Sequence, residues 1–180
     1  MSEPPKVALF RTQLESFTDE VHAAVAVLSL GTTADVANHR CETIRHQYSL
    51  IVIPPTLKFS PDRNVAQAVE IIEADLAVIA LQVSGLVTVY EQFIEVQASK
   101  DGPLRLEKGG QVSAEYLRYS GQTVKAKAEM RSAAEKKGAE LSKILVESLQ
   151  IIKDSVASIE QHVLHNFRKP FPRVAGPAAE

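Results

Sequence analysis

Residues 65–93 read VAQAVEIIEADLAVIALQVSGLVTVYEQF, and this stretch decides the fold class. Its apolar side chains recur at alternating steps of four and three residues, which places them on one face of an α-helix. The positions are Val65, Val69, Ile72, Leu76, Ile79, Val83, Leu86, Tyr90 and Phe93. This unbroken a/d pattern predicts one long amphipathic helix with a coiled-coil-like seam, meaning a row of apolar side chains along one face.

Prolines mark the boundaries of the helical segments, because proline breaks a helix interior but is tolerated in the first turn. Three long segments contain no proline: residues 6–53, 62–102 and 104–169. Ser60-Pro61-Asp62 predicts the start of the long helix, and Asp101-Gly102-Pro103 predicts its end. Residues 53–60 and 104–110 are predicted loops, and Leu57 and Phe59 of the first loop are expected to pack against the helices.

Similar seams occur before and after the long helix. The first segment has one seam from Val7 to Leu28 and a second from Ala37 to Ile51. Gly31 is predicted to end the first helix, and Thr33 is predicted to cap the second. Between Val112 and Phe167 we expect one long helix, with two helices joined near a glycine as the alternative.

The predicted fold is all-α: an antiparallel bundle of four or five helices, two shorter and then two long, with coiled-coil-like a/d seams. Residues 6–167 form the single predicted domain, and residues 1–5 and 168–180 are predicted to be disordered. The long pair should extend past the shorter helices, most of all along the alanine-rich, basic stretch 122–138. Charge favours the pairing of the long helices, because the third is acidic and the fourth is basic.

The bulk composition excludes several classes of protein. The net charge is -2, which provides no general attraction to nucleic acid or to anionic membranes. A single cysteine, Cys41, forms neither an internal disulfide nor a cysteine-based zinc site. The N-terminus lacks the pattern of a signal peptide, and the apolar run from Leu76 to Val89 is too short for a transmembrane segment. We expect a cytoplasmic protein, with a secreted protein whose signal was removed as the alternative.

His39, Glu42 and His46 are the best candidate metal ligands, because their spacing places them on one face of the second helix. The apolar seam through Cys41 and Ile44 turns these three residues toward solvent, so we interpret them as a solvated face. Glu-x-x-His pairs and glycine-rich phosphate loops are absent from the sequence. We therefore expect no cofactor and no catalysis, and an enzyme with a dispersed site is the third alternative.

Two non-catalytic functions fit the long seams. The first is protein–protein interaction or self-association, with a candidate surface at Lys125, Lys127, Arg131, Lys136 and Lys137. The second is transport of a hydrophobic small molecule, such as a fatty acid or lipid, held between the helices. The candidate lining for such a ligand is aliphatic: Ile72, Leu76, Ile79, Val83, Leu86, Leu145, Leu149, Ile152 and Val156.

The segment from Ser60 to Phe93, a capped start followed by a long apolar seam, also carries a resemblance. In helix layout, the first hundred residues resemble the small fungal hydrophobic-surface and fatty-acid-binding helical domains. The resemblance implies a helical fold and a hydrophobic ligand. The chain departs from those domains at its N-terminus, which reads MSEPPK where they usually carry a signal peptide.

Overall fold

The structure, a computed structural model, describes residues 4–108 and 114–166, with side chains described for 4–96, 128–129 and 131–163. All regular structure in these residues is α-helical, which confirms the all-α prediction. The helices are α1 Pro5–Leu30, α2 Ala34–Leu50, α3 Pro55–Lys58, α4 Arg63–Lys108 and α5 Ala114–Asn166. Residues 1–3 and 167–180, most of the predicted disordered ends, lie outside the described residues.

The four longer helices are arranged as a ring in cross-section. α1 contacts α2 and α5, and α4 also contacts α2 and α5, with the most extensive packing between α4 and α5. The Arg40 guanidinium lies 3.2 Å from the Glu20 carboxylate, and the backbone N–H of Val52 donates to Gln13 Oε1 at 3.2 Å. The later residue, Val52, thus contacts the earlier part of α1, and Arg40 contacts the later part. The two helices therefore run in opposite directions.

The core is built from the inward rows of these helices. All nine positions of the α4 seam are buried except Phe93, which is half-buried and packs against the core. On α1 the row from Val7 to Leu28 is buried throughout, and α5 contributes a row from Leu149 to Val163. Burial of apolar area is the main stabilising term in such a fold, about 25 cal/mol per Å².

The turn between α1 and α2 follows the predicted chemistry. Gly31 has φ 84° and ψ 135°, and its N–H donates to the Leu28 carbonyl. A positive φ favours glycine, because a Cβ would clash with the backbone. Thr33 Oγ1 accepts a hydrogen bond from the Val36 N–H at 3.5 Å, which is the expected N-cap of α2.

The start of α4 lies two residues later than a Pro61 first position would place it. The Asp62 carboxylate accepts a hydrogen bond from the Asn64 N–H at 2.9 Å, and the Asp62 carbonyl accepts from Ala66. Asp62 thus caps α4, and Pro61 precedes the cap.

The predicted end of the long helix is wrong. α4 continues through Asp101-Gly102-Pro103 to Lys108, so residues 104–108 are helical where a loop was expected. Proline fixes φ near the helical value and removes one donor, which weakens a helix without preventing its continuation. α5 is one helix from Ala114 to Asn166, as expected, and passes through Gly121 and Gly138.

The loop between α2 and α4 also differs from the expectation. Pro55–Lys58 forms one helical turn, α3, which buries Leu57 as predicted. Phe59 is 78% exposed, so the prediction that it packs against the helices is wrong. Residues two apart on a helical turn point to opposite sides, so burial of Leu57 directs Phe59 outward.

By length and composition, the Arg63–Val96 part of α4 could cross a membrane. Core helices of globular proteins meet the same criterion, and Ile72, Ile79 and Val83 of this helix are fully buried in the core. Its outward face carries Val78 and Leu81. The absence of a transmembrane segment therefore stays a prediction.

Candidate functional site: an apolar cleft at one end of the bundle

An apolar cleft lies where α1 ends and α2 begins, beside the long helices α4 and α5. Its volume is about 580 Å³. The described lining comes from four helices and one turn: Leu28, Gly31, Thr32, Thr33, Ala34, Tyr90, Phe93, Ile94 and Leu145. α4 continues past this level to Lys108, and α5 begins at Ala114, far before Leu145. The cleft therefore results from the difference in length between the two pairs of helices.

Two aromatic residues form one wall of the cleft. The ring centroids of Tyr90 and Phe93 are 6.2 Å apart with an interplanar angle of 40°. Burial, with a smaller contribution from Cys41, raises the pKa of Tyr90 to about 12. The Tyr90 hydroxyl is thus neutral at physiological pH and retains its proton.

The described lining residues carry no charged side chain. Their polar side-chain groups are the hydroxyls of Thr32, Thr33 and Tyr90, and Thr33 already accepts the capping hydrogen bond from Val36. The cleft is therefore an apolar space with a few neutral polar groups, which is the usual composition of a small-molecule site.

Several apolar side chains that line the cleft, or are next to a lining residue in sequence, are exposed. Leu30, next to the lining residue Gly31, is 88% exposed, and Ile144, next to Leu145, is 45% exposed. Ile94 lines the cleft and is also 45% exposed. We call these three residues the rim. Exposed apolar side chains beside an apolar cleft make this end of the bundle a candidate interaction site.

The predicted aliphatic lining divides between the core and the cleft. Leu145 is the one member that lines the cleft, and it is half-buried. The other eight are buried and pack into the core cluster: Ile72, Leu76, Ile79, Val83, Leu86, Leu149, Ile152 and Val156. The cleft therefore lies at the Leu145 end of the predicted aliphatic lining, and not along its length.

The candidate metal ligands His39, Glu42 and His46 are all exposed on α2. The carbonyl oxygens of His39 and His46 accept hydrogen bonds from the Thr43 and Ser49 hydroxyls, which are local contacts within the helix. Among the residues that the structure describes, no group of three His, Cys, Asp or Glu side chains could hold a metal ion.

The candidate basic surface lies on α5 before the cleft. Arg131, Lys136 and Lys137 are exposed. The side chains of Lys125 and Lys127 lie outside the described residues. Ala134 and Leu141 are buried in the same part of α5, and Gly138 faces Val96 of α4, where an added Cβ would lie 3.8 Å from the valine.

A second pocket, of about 670 Å³, lies at the start of α4 and is more polar. It is lined by Lys58, Phe59, Arg63, Ala66, Gln67, Glu70 and Glu73. The Lys58 ammonium lies 2.9 Å from the Glu73 carboxylate, so these two charges compensate each other. The apolar cleft is the stronger candidate because its lining is less polar and comes from four helices.

Sequence reasoning missed most of the cleft. Leu28, Tyr90 and Phe93 belong to predicted seams, whose side chains are expected in the core, whereas Thr32 and Ala34 precede the predicted seam of α2. The signal that points to the cleft is the unequal length of the helices, which leaves the last seam positions beside the α1–α2 turn without a facing helix.

No protein-family model, curated protein or solved structure matches this chain. The resemblance in helix layout to the fungal domains therefore receives no support from these comparisons. The fold and the cleft define the class of protein, an all-α protein with a candidate apolar site.

Proposed function

We propose that the protein acts without catalysis, by binding another protein or a second copy of itself at the end of the bundle that carries the cleft. The observation that carries this proposal is the rim of Leu30, Ile94 and Ile144, which exposes apolar area next to an open cleft. An apolar centre within a polar surround is typical of protein interfaces. We also propose that the a/d seams of the helices pack against each other in a coiled-coil-like manner.

The charge distribution is compatible with a partner at this end. α5 exposes Arg131, Lys136 and Lys137 beyond the cleft, and the same stretch exposes Glu129, Glu135 and Glu140, so a partner would meet charges of both signs there. Charged groups at the edge of an interface mainly affect the rate and specificity of association.

The test replaces Leu30 with Glu. Leu30 is 88% exposed, so the change should leave the fold intact but place a charge in the apolar part of the proposed interface. The control is Leu81→Glu on the outward face of α4, since Leu81 is also largely exposed, at 70%. Sedimentation velocity over a range of concentrations, together with quantitative recovery of proteins on the immobilised chain, measures the effect.

We expect Leu30→Glu to lose an assembly or a specific partner that the wild type and Leu81→Glu retain. A wild type that is monomeric at every concentration, and that recovers nothing beyond what Leu30→Glu recovers, would count against the proposal.

The cleft favours a second candidate function, the transport of a hydrophobic small molecule. Its volume of about 580 Å³ falls within the range of small-molecule sites, about 300–1,000 Å³. Native mass spectrometry of the purified chain should then detect a bound apolar molecule. Spectra that show only the bare chain, with no thermal shift on addition of apolar ligands, would remove this candidate.

A further inference from the structure

We infer that the cleft selects an uncharged amphipathic molecule, an alkyl chain that ends in a hydroxyl group, over the carboxylate of the same length. This inference rests on the second candidate function, transport of a hydrophobic molecule. It differs from the expectation of a fatty acid, because a fatty acid is ionised at neutral pH.

The first argument is the lack of a cation in the lining. A carboxylate that leaves water needs a paired cation or several hydrogen bonds, because the desolvation of an unpaired ion costs several kcal/mol. The described side chains that line the cleft are aliphatic, aromatic or hydroxylic, and none of them is a lysine or an arginine.

The charges next to the lining strengthen the argument. Asp35 in the first turn of α2 and Glu91 on α4 are each next to a lining residue in sequence. These acidic residues supply no cation that could pair with a carboxylate. Lys143 is the nearest described cation along α5, and its ammonium lies 3.9 Å from the Glu147 carboxylate one turn away.

The third argument is the neutral polar chemistry that the cleft does offer. The hydroxyls of Thr32 and Thr33 in the α1–α2 turn donate and accept hydrogen bonds without a charge. A ligand hydroxyl can exchange hydrogen bonds with such groups, while the alkyl chain lies against Phe93 and Leu145.

The experiment compares decan-1-ol with decanoate at pH 7.5, each below its solubility limit, by displacement of the uncharged fluorescent probe N-phenyl-1-naphthylamine. We expect decan-1-ol to bind at least about tenfold more tightly, because decanoate carries the extra desolvation cost of its ion. Ala34→Phe, which fills the cleft, should abolish binding of both ligands. Ala77→Phe on the exposed face of α4 is the matched control and should leave binding unchanged.

A gain-of-function variant makes the test independent of loss of folding. Ile94→Lys places a cation in the cleft at a position that is 45% exposed, and it should shift the preference at least about tenfold toward decanoate. Leu81→Lys adds the same charge outside the cleft and should leave the preference as in the wild type.

The outcomes separate the inference from the function on which it rests. Equal or tighter binding of decanoate by the wild type overturns the selectivity and leaves transport of a hydrophobic molecule standing. Failure of the wild type to bind either ligand overturns both. Binding of decan-1-ol that Ala34→Phe does not weaken, in a variant shown to be folded by circular dichroism, overturns the assignment to this cleft.

Discussion

Cys41 and Tyr90 meet in the core between α2 and α4, where burial governs their chemistry. Burial, with a smaller contribution from the Glu42 carboxylate, raises the pKa of Cys41 from 9.0 to about 11. The pKa of Tyr90 is raised for the same main reason, with Cys41 as the second cause. The sequence predicted that Cys41 is a core residue, because it falls on the α2 seam, and its burial agrees with this.

These shifts predict a loss of stability at alkaline pH. A raised pKa means that the folded state favours the protonated thiol, so its contribution to stability is complete below pH 9 and is lost as the pH rises toward about 11. Tyr90 acts in the same direction at higher pH. Denaturant unfolding between pH 7 and 11 should show a steeper decline for the wild type than for Cys41→Ala, and parallel curves would contradict the burial of this thiol.

Two glycines predict opposite effects of the same substitution. Gly31 has a positive φ of 84°, so Gly31→Ala should cost about 1–2 kcal/mol of unfolding free energy through backbone strain alone, since no atom lies within 4 Å of the added Cβ. Gly85 lies inside α4 with equally open space, and Gly85→Ala should add about 0.5–1 kcal/mol. Thermal or denaturant unfolding measures both, and two changes of the same sign would be inconsistent with the α1–α2 turn described above.

At the scale of the elements, the sequence predicted which segments are helical and which faces are inward, because apolar periodicity depends only on local geometry and burial. It predicted the boundaries less well. Pro103 did not stop α4, and residues 55–58 formed a helical turn, because a helix end depends on tertiary contacts as well as on local breakers. Phe59 was misplaced for the same reason, since Leu57 occupies the inward position.

The assignment of faces on α4 is testable with two aliphatic residues two positions apart. Ile79 is fully buried, so Ile79→Ala should cost about 2–5 kcal/mol through lost burial and the cavity that remains. Leu81 points outward and is 70% exposed, so Leu81→Ala should change the unfolding free energy by less than about 0.5 kcal/mol. A loss of comparable size at Leu81 in denaturant unfolding would show that its face is covered in solution.

At the scale of the whole molecule, the sequence predicted a helical bundle with unequal helix lengths, and the cleft is a consequence of that inequality which periodicity alone could not reveal. Leu28 and Leu145 are far apart in sequence and approach each other only because α1 ends where α5 continues. Apolar periodicity assigns seam side chains to the core, whereas the cleft combines seam positions such as Leu28 and Phe93 with the residues of the α1–α2 turn.

The same inequality predicts uneven protection of backbone amides along α5. Around residues 131–138 the described side chains bury little apart from Ala134, whereas Ile152, Val156 and Ile159 are deeply buried. Local opening is easier where few apolar contacts are made, so amides of 131–138 should exchange at least about 100-fold faster than those of 152–159. Hydrogen–deuterium exchange resolved by peptide measures this, and uniform protection along α5 would indicate that another chain covers the first part.

Three residues, 31–33, connect α1 to α2. Helical turns can be added or removed on either side of this connection, which changes the length of both helices. One added turn lengthens a helix by about 5.4 Å, so inserting a turn in both α1 and α2 would move their connection along α4 and α5 and occupy the space that is now open. Removal of a turn from both helices would deepen that space and would also remove core residues such as Leu28 and Ala37. Variants of this chain could therefore acquire larger, smaller or no cavities through insertions and deletions at a single surface turn.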